Sequence, residues 1–130
     1  MRLLLDTDAY SALKRGHTVA ADLVRRSDEV LLSTVVAGEL LHGFRCGSRF
    51  ERNRQDLDEF IASPFVKVIP VTMATADRFS RVAAALRVQG RPIPTNDIWV
   101  AAHTMETGAE LLTFDRHYEA VDGLAWRRLE

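Results

Sequence analysis

The chain has 130 residues, of which 47% are hydrophobic and 27% are charged, and its formal net charge at pH 7 is -1. This length suits one domain, no apolar run approaches the roughly 18 residues of a membrane span, and the charge excludes a uniformly basic nucleic-acid-binding protein. We therefore predict a single soluble domain over residues 1–130, without a membrane partner. The one cysteine, Cys46, cannot form an internal disulfide, and no secretory signal is visible, which favours the cytoplasm.

The first half of the chain alternates short apolar runs with helical patterns. "RLLL" at 2–5 predicts a buried strand, and "AYSALKRG" predicts a helix that ends at Gly16, followed by a second helix over about 19–26. "VLLS" at 30–33 predicts a second strand. The pattern "TVVAGELLHGF" then predicts a helix capped by Ser33 or Thr34, and another helix is expected from about 50 to 62.

The second half continues the alternation. "VKVIPV", beginning at Val66, predicts a third strand, and "ATADRFSRVAAALRVQG" predicts a long helix that stops at Gly90. "NDIWVAAHTMETG" predicts a helix with Asn96 as its N-cap and Gly108 as its stop; "ELLTF" and "LAWRRL" predict two further strands. Strands separated by helices indicate an α/β protein, with three α/β/α layers and a central, mostly parallel sheet of about four to five strands.

Four acidic residues stand where such a fold binds ligands. Asp6 follows the first strand and Asp115 follows the fourth, so both are expected at the carboxyl edge of the sheet. If these strands are neighbours where the winding reverses, the two carboxylates meet at the topological switch point. Glu39 interrupts an apolar helix face, and Asp97 falls in the first turn of a later helix. These two acids are therefore candidates for the same crevice.

Each acid also has a purely structural interpretation. Asp97 and Asp8 can favour a helix N-terminus, Asp115 can be a turn residue, and Glu39 can pair with a nearby arginine. Taken together, however, clustered carboxylates repel one another unless a cation lies between them. Mg²⁺ or Mn²⁺ prefers carboxylate oxygens, which makes a divalent metal site the hypothesis that accounts for all four.

The order of these motifs carries a family resemblance. "LLLDT", "STVVAGEL", "TNDIWVAA" and "LLTFD", spread over the whole chain, resemble the PIN-domain ribonucleases, in particular the VapC-type toxins of bacterial toxin–antitoxin pairs. The resemblance implies that Asp6, Glu39, Asp97 and Asp115 form the catalytic, metal-binding site. It assigns supporting positions to Thr7 and Thr113, to which we add Asn96 and Asp8. Asp8 departs from the family, where a neutral residue is common, and is either an extra ligand or a helix cap.

The same resemblance implies a function and partners. The expected protein is a Mg²⁺-dependent endoribonuclease toxin, with Mn²⁺ as an alternative ion, that cuts structured transfer or ribosomal RNA by attack of metal-activated water on a phosphodiester. A VapB-like antitoxin, a homodimer and a bacterial cytoplasmic location are also expected. Four arginines bunched in "HGFRCGSRFERNR" are candidates for holding the RNA backbone, or form a solvated helix face: Arg45, Arg49, Arg52 and Arg54.

Three other functions compete with this one. "DTD" after an apolar strand resembles haloacid dehalogenase-like phosphatases, but those need a later lysine, and Lys67 lies within a predicted strand. Receiver domains need an acid after the third strand, where this chain has "IPVT". A module that binds RNA or a partner with weak or no catalysis is the main alternative. It has no use for self-repelling carboxylates, which favours the enzyme.

Overall fold

The computed structural model describes residues 1–130 and contains five strands, six α-helices and one 3₁₀ helix. In chain order these are β1 (Arg2–Leu5), α1 (Thr7–Lys14), α2 (Thr18–Arg26), β2 (Glu29–Ser33), α3 (Thr34–Cys46), α4 (Phe50–Ala62), β3 (Val66–Ile69), α5 (Met73–Gln89), α6 (Thr95–Thr107), β4 (Glu110–Thr113), the 3₁₀ helix (Arg116–Ala120) and β5 (Trp126–Arg128). No helix combines the length and the apolar character needed to cross a bilayer.

The five strands form one parallel sheet in the order β3-β2-β1-β4-β5. β1 is central, with Leu4 paired to Leu31 of β2 on one side and to Leu111 of β4 on the other. The chain winds outward through β2 and β3 and then returns to add β4 beside β1. The condition considered from the sequence, that the first and fourth strands are neighbours where the winding reverses, is therefore met, and such a reversal leaves a crevice at the carboxyl ends of β1 and β4.

Alternating side chains of β1 face two separate cores, which makes the architecture three-layered. Leu3 and Leu5 pack in a cluster with residues of α1 and α2, whereas Leu4 packs in a larger cluster with residues of α3, α4, α5 and α6. All three leucines are fully buried. Burying each of them stabilises the sheet by about 1.5–3 kcal/mol relative to exposure. The α/β/α fold class predicted from the sequence is confirmed.

Two predicted helix starts are wrong, and both corrections concern the site. α1 begins at Thr7 rather than at Ala9, because Asp6 is its N-cap and Asp8 lies exposed in the first turn. α6 begins at Thr95, so Asn96 is inside the helix and its side chain does not cap it. The cap of α1 thus lies two residues before Asp8, whereas the N-cap position of α6 is Pro94, which has no capping side chain.

The predicted third strand, "VKVIPV", is two residues too long. β3 stops at Ile69, directly before Pro70, whose nitrogen has no hydrogen to donate to a ladder. The long helix α5 ends at Gly90, where φ is +66° and a left-handed backbone suits glycine. The predicted stops at Gly90 and Gly108 are both confirmed.

Candidate active site

Asp6 ties the end of β1 to the end of β4. Its Oδ1 accepts the Ala9 N–H at 2.9 Å, and its Oδ2 accepts the hydroxyl of Thr113. Asp6 is buried, with only 7% of its surface exposed to solvent. This burial raises the pKa of Asp6 to about 6; the charges of Asp8 and Asp115 add to the rise, while the two hydrogen bonds oppose it. Asp6 therefore gives up its proton at a higher pH than a solvent-exposed aspartate does.

Glu39 lies in the second turn of α3 and is held by neutral donors. The Thr7 hydroxyl donates to Oε1 at 2.9 Å, and the Asn96 amide group donates to Oε2 at 3.4 Å. No arginine pairs with Glu39, so its interpretation as a surface ion-pair partner is wrong. The half-buried carboxylate is oriented by side chains from α1 and α6 and keeps its negative charge uncompensated.

Asp97, Asp115 and His117 form the tightest group of potential ligands. The Nε2–H of His117 donates to Asp97 Oδ2 at 2.6 Å, and Nδ1 of the same ring lies 3.7 Å from Asp115 Oδ1. One ligand atom from each residue lies within 4.8 Å of the other two. Asp97 is the more buried acid, with its side chain 19% exposed against 47% for Asp115. The three residues together can hold a metal ion.

His117 is the member of this group that the sequence analysis missed. It follows Asp115 by two residues, and the 3₁₀ helix that begins at Arg116 turns the imidazole back toward the carboxylates. The spacing Asp-x-His was the available signal. It is weak, because two residues along a strand or a coil do not by themselves bring two side chains together.

Tyr118 adds a buried hydroxyl beneath the acids. The side chain is completely buried, and its hydroxyl lies beside the carboxylate of Asp97. Burial raises the pKa of Tyr118, and the nearby carboxylates of Asp97 and Asp6 raise it further, so the phenol stays protonated. The hydroxyl is therefore a hydrogen-bond donor beside these carboxylates.

Hydrogen bonds link the separate carboxylates into one region. The Thr113 hydroxyl donates to Asp6 and accepts the Asp115 N–H at 3.0 Å, while Asn96, adjacent to Asp97, reaches Glu39. Asp6 and Glu39 lie outside the tight group formed by Asp97, Asp115 and His117. The structure nevertheless brings all four acids to the carboxyl edge of the sheet. The side chain of Asp8 bonds to none of them.

The donor set fits a divalent cation. Carboxylate oxygens are the ligands that Mg²⁺ and Mn²⁺ prefer, and no lysine or arginine forms an ion pair with any of the four acids. Elsewhere in the chain, surface acids such as Asp22, Asp58 and Asp77 do pair with arginines. The acids of the crevice therefore have only His117 beside them as a potential positive charge.

The predicted RNA-binding arginines lie along the end of α3 and the start of α4, and all are exposed. Arg54 pairs with Asp58 at 3.1 Å, and the Arg45 guanidinium stacks over the Phe50 ring at 4.2 Å. Arg49 and Arg52 form no ion pair. Because a helix rises about 1.5 Å per residue, the end of α3 lies about 10 Å beyond Glu39. The two unpaired arginines are the better candidates for contacting an extended ligand.

The parallel sheet and the acidic crevice at its switch point define an α/β domain with a candidate site for a divalent metal. The comparison with known proteins agrees with this class. The family model of the PIN domain matches residues 3–124, and the chain belongs to this family. The chain is similar to "Ribonuclease VapC1" of Haemophilus influenzae, with 24% identity over 98% of this chain and 97% of the relative. It is also similar to the "tRNA(fMet)-specific endonuclease VapC" of Shigella flexneri, with 25% identity over 95% of each chain.

A solved structure extends the fold comparison to the full chain. The structure of VapBC2 from Rickettsia felis, bound to a DNA fragment from its promoter, contains a chain that superposes with a TM-score of 0.89. The two chains share 19% identity, and the alignment covers 100% of each. The predicted membership of the PIN family, with VapC proteins as similar chains, is confirmed.

Proposed function

We propose that this protein is a metal-dependent endoribonuclease toxin of the VapC type. The observation that carries the proposal is the convergence of Asp6, Glu39, Asp97 and Asp115 at the switch point without a compensating lysine or arginine. Self-repelling carboxylates lower stability in a metal-free fold and become useful when they hold a cation. The ribonuclease names of similar chains support the reaction class.

Those four carboxylates would hold Mg²⁺ or Mn²⁺. The bound ion would supply Lewis-acid chemistry, lowering the pKa of water for attack on a phosphodiester and neutralising charge on the phosphate. The chain's own side chains prepare the ligands. Thr7 and Asn96 fix the two oxygens of Glu39, and Thr113 fixes Asp6. Asp8 adds negative potential near Asp6 without bonding to the other acids.

The substrate in this proposal is structured RNA of the transfer or ribosomal class. The printed name of the Shigella flexneri relative specifies a transfer RNA, and a folded RNA can reach an open crevice on the edge of the sheet. Arg49 and Arg52 would contact the backbone away from the cut, because their guanidinium groups are exposed and free of ion pairs.

We further propose that residues 1–130 act as a single PIN domain that forms a homodimer and is restrained by a VapB-like antitoxin. The Rickettsia felis neighbour is a VapBC complex, which supports an antitoxin partner. A ribonuclease that cuts the cell's own RNA needs such a restraint. Co-expression with the antitoxin is therefore expected to raise the yield of the wild-type chain, with no such gain for an inactive variant.

The test is incubation of the purified chain with total RNA in Mg²⁺, in Mn²⁺ and in EDTA. The inactive variant is Asp97→Asn, and the matched control is Asp58→Asn, the same substitution at a surface aspartate paired with Arg54. We expect discrete cuts by the wild type and by Asp58→Asn in the presence of metal. We expect none in EDTA and none by Asp97→Asn under any condition.

Two outcomes would contradict the proposal. Cleavage that persists in EDTA would exclude metal dependence, and equal cleavage by Asp97→Asn would exclude the assigned site or expose a contaminating nuclease. If RNA binds tightly but stays intact in every ion, the module that binds RNA without cutting it becomes the better description. Mapping the ends of the discrete cuts identifies the substrate.

A further inference from the structure

Arg128 lies at the end of β5, on the face of the sheet that carries part of the acidic crevice. It is in register with Thr113 of β4, whose hydroxyl donates to Asp6. Neighbouring strands are about 4.8 Å apart, and side chains in register point to the same face. Trp126 and Leu111 are in register two residues earlier and pack in the larger core cluster. Arg128 therefore points to the side of α3 and α6, the two helices that contribute acids to the crevice.

One hydrogen bond anchors the Arg128 guanidinium and leaves its terminal amino groups free. The Nε–H donates to the carbonyl of Phe114 at 3.4 Å, and Phe114 directly precedes Asp115. The side chain is exposed and forms no ion pair. The end of β5 is itself held against β4, because the Leu129 N–H donates to the Thr113 carbonyl at 2.6 Å. The strand thus presents an unpaired cation next to the loop that carries an acid of the site.

Arg127 provides the contrast on the same strand. Its register partner is Leu112, which packs in the smaller core cluster, so its side chain points to the opposite face of the sheet. There its Nη2 lies 3.4 Å from Oε1 of Glu110 at the start of β4. Arg127 therefore has an acidic partner within the protein and lies on the other side of the sheet from Arg128.

The crevice has unpaired arginines on both sides. β5 is the outer strand beyond β4, whereas α4, which carries Arg52 and follows Arg49, packs against β3 at the opposite edge of the sheet. The carboxyl ends of β1 and β4 lie between these two edges. An extended polyanion that crosses the crevice therefore meets a cation on each side of the acids.

We propose that Arg128 binds a backbone phosphate of the RNA beside the phosphate that is cut, and so positions the strand in the crevice. This inference rests on the proposed ribonuclease function and deepens it. A guanidinium can present two parallel N–H donors to a phosphate, and Arg128 has its two terminal amino groups available. Because it forms no ion pair with Asp115 or with another acid of the crevice, Arg128 lies outside the group that would hold the ion. It is therefore a positioning residue rather than a catalytic one.

A contact with a non-reacting phosphate has a kinetic signature. Such a contact is made equally in the ground state and in the transition state, so its loss raises KM and leaves kcat unchanged. Arg128→Gln removes the charge, whereas Arg128→Lys keeps the charge and loses the fork. The matched control is Arg127→Gln, the same substitution at the neighbouring residue of β5, where the guanidinium pairs with Glu110.

Two measurements on the full chain test the proposal. Fluorescence anisotropy follows the binding of labelled bulk transfer RNA at several KCl concentrations, with every variant placed in the Asp97→Asn background to keep the RNA intact. Initial rates, measured without Asp97→Asn, give kcat and KM for an RNA oligonucleotide that spans a mapped cut. We expect Arg128→Gln to raise KM by about tenfold, with a change in kcat below about twofold. The slope of log affinity against log salt concentration should become shallower by about 0.7. Arg127→Gln should match its parent in all three quantities, and Arg128→Lys should restore the slope.

The outcomes separate this inference from the proposed function. If the wild type cuts RNA and Arg128→Gln leaves KM and the salt slope unchanged, the positioning role is overturned while the metal-dependent ribonuclease stands. A fall in kcat at constant KM also overturns it, because the residue then acts on the reacting phosphate. An equal loss in Arg127→Gln would assign the effect to the folding of β5 and not to a phosphate contact. If the wild type neither binds nor cuts RNA, the proposed function fails and the inference fails with it.

Discussion

Replacing Asp6 by asparagine is expected to stabilise the metal-free protein at neutral pH while abolishing cleavage. Asp6 is 7% exposed, and burial is the main cause that raises its pKa from 3.8 to about 6. Asparagine removes the buried charge and retains Oδ1 as the acceptor for the Ala9 N–H that caps α1. The Thr113 hydroxyl can rotate to accept from the new amide group.

The pH dependence has a definite sign. Since the pKa of Asp6 is higher in the folded chain, the folded state binds more protons between about pH 4 and pH 6, and the free energy of unfolding falls as pH rises through this window. The loss is complete above the folded pKa and amounts to about 3 kcal/mol. Asp6→Asn lacks this loss. The free energy of unfolding of this variant should therefore exceed that of the wild type by about 1–3 kcal/mol at pH 7 and by little or nothing at pH 4.

Urea unfolding of both proteins in EDTA at pH 4, 5, 6 and 7 checks this expectation. The difference between wild type and variant isolates Asp6 from the histidines, which titrate in both. Adding Mn²⁺ at pH 7 should make the wild type more stable than Asp6→Asn, because an ion at 100 times its Kd stabilises the protein that binds it by about 2.7 kcal/mol. A difference that stays constant from pH 4 to pH 7 would refute the role of buried charge. So would a variant that unfolds more easily than the wild type at pH 7 without metal.

Three further changes probe the surroundings of the site. Thr113→Val removes the hydroxyl that donates to Asp6. We expect urea unfolding to show a free energy of unfolding lower by about 1–3 kcal/mol at pH 8, and a smaller loss at pH 5, where Asp6 is protonated. An equal loss at both pH values would contradict this role of Thr113. Asp8→Asn, at an exposed position without side-chain bonds, should reduce RNA cleavage far less than Asp97→Asn, and an equal loss would make Asp8 a ligand. In the Asp97→Asn background, the double change Arg49→Gln with Arg52→Gln should make the slope of log RNA affinity against log salt concentration shallower by about 0.7 per lost phosphate contact. Fluorescence anisotropy measures this slope, and an unchanged slope would show that these arginines do not contact the RNA.

Much of the fold followed from local patterns in the sequence. All five strands and all six helices were identified from short apolar runs and from apolar residues at helical spacing. This works because the spacing of apolar residues reflects which faces of an element are buried. The errors lay at element ends, namely the starts of α1 and α6 and the end of β3, which stops before Pro70. Asp6 and Asp8 are equally good capping residues, and only the position of the strand edge decided that Asp6 is the cap of α1.

The sequence by itself also predicted that Asp6 and Asp115 lie at one edge of the sheet, since the carboxyl ends of parallel strands meet there wherever the strands pair. Tertiary structure alone decided what each acid touches. The bonds from Thr7 and Asn96 to Glu39 span 32 and 57 positions, and that from Thr113 to Asp6 spans 107. His117 reaches Asp97 only because a 3₁₀ turn packs against the start of α6. Contacts of this kind depend on how whole elements pack, and no local period encodes that packing.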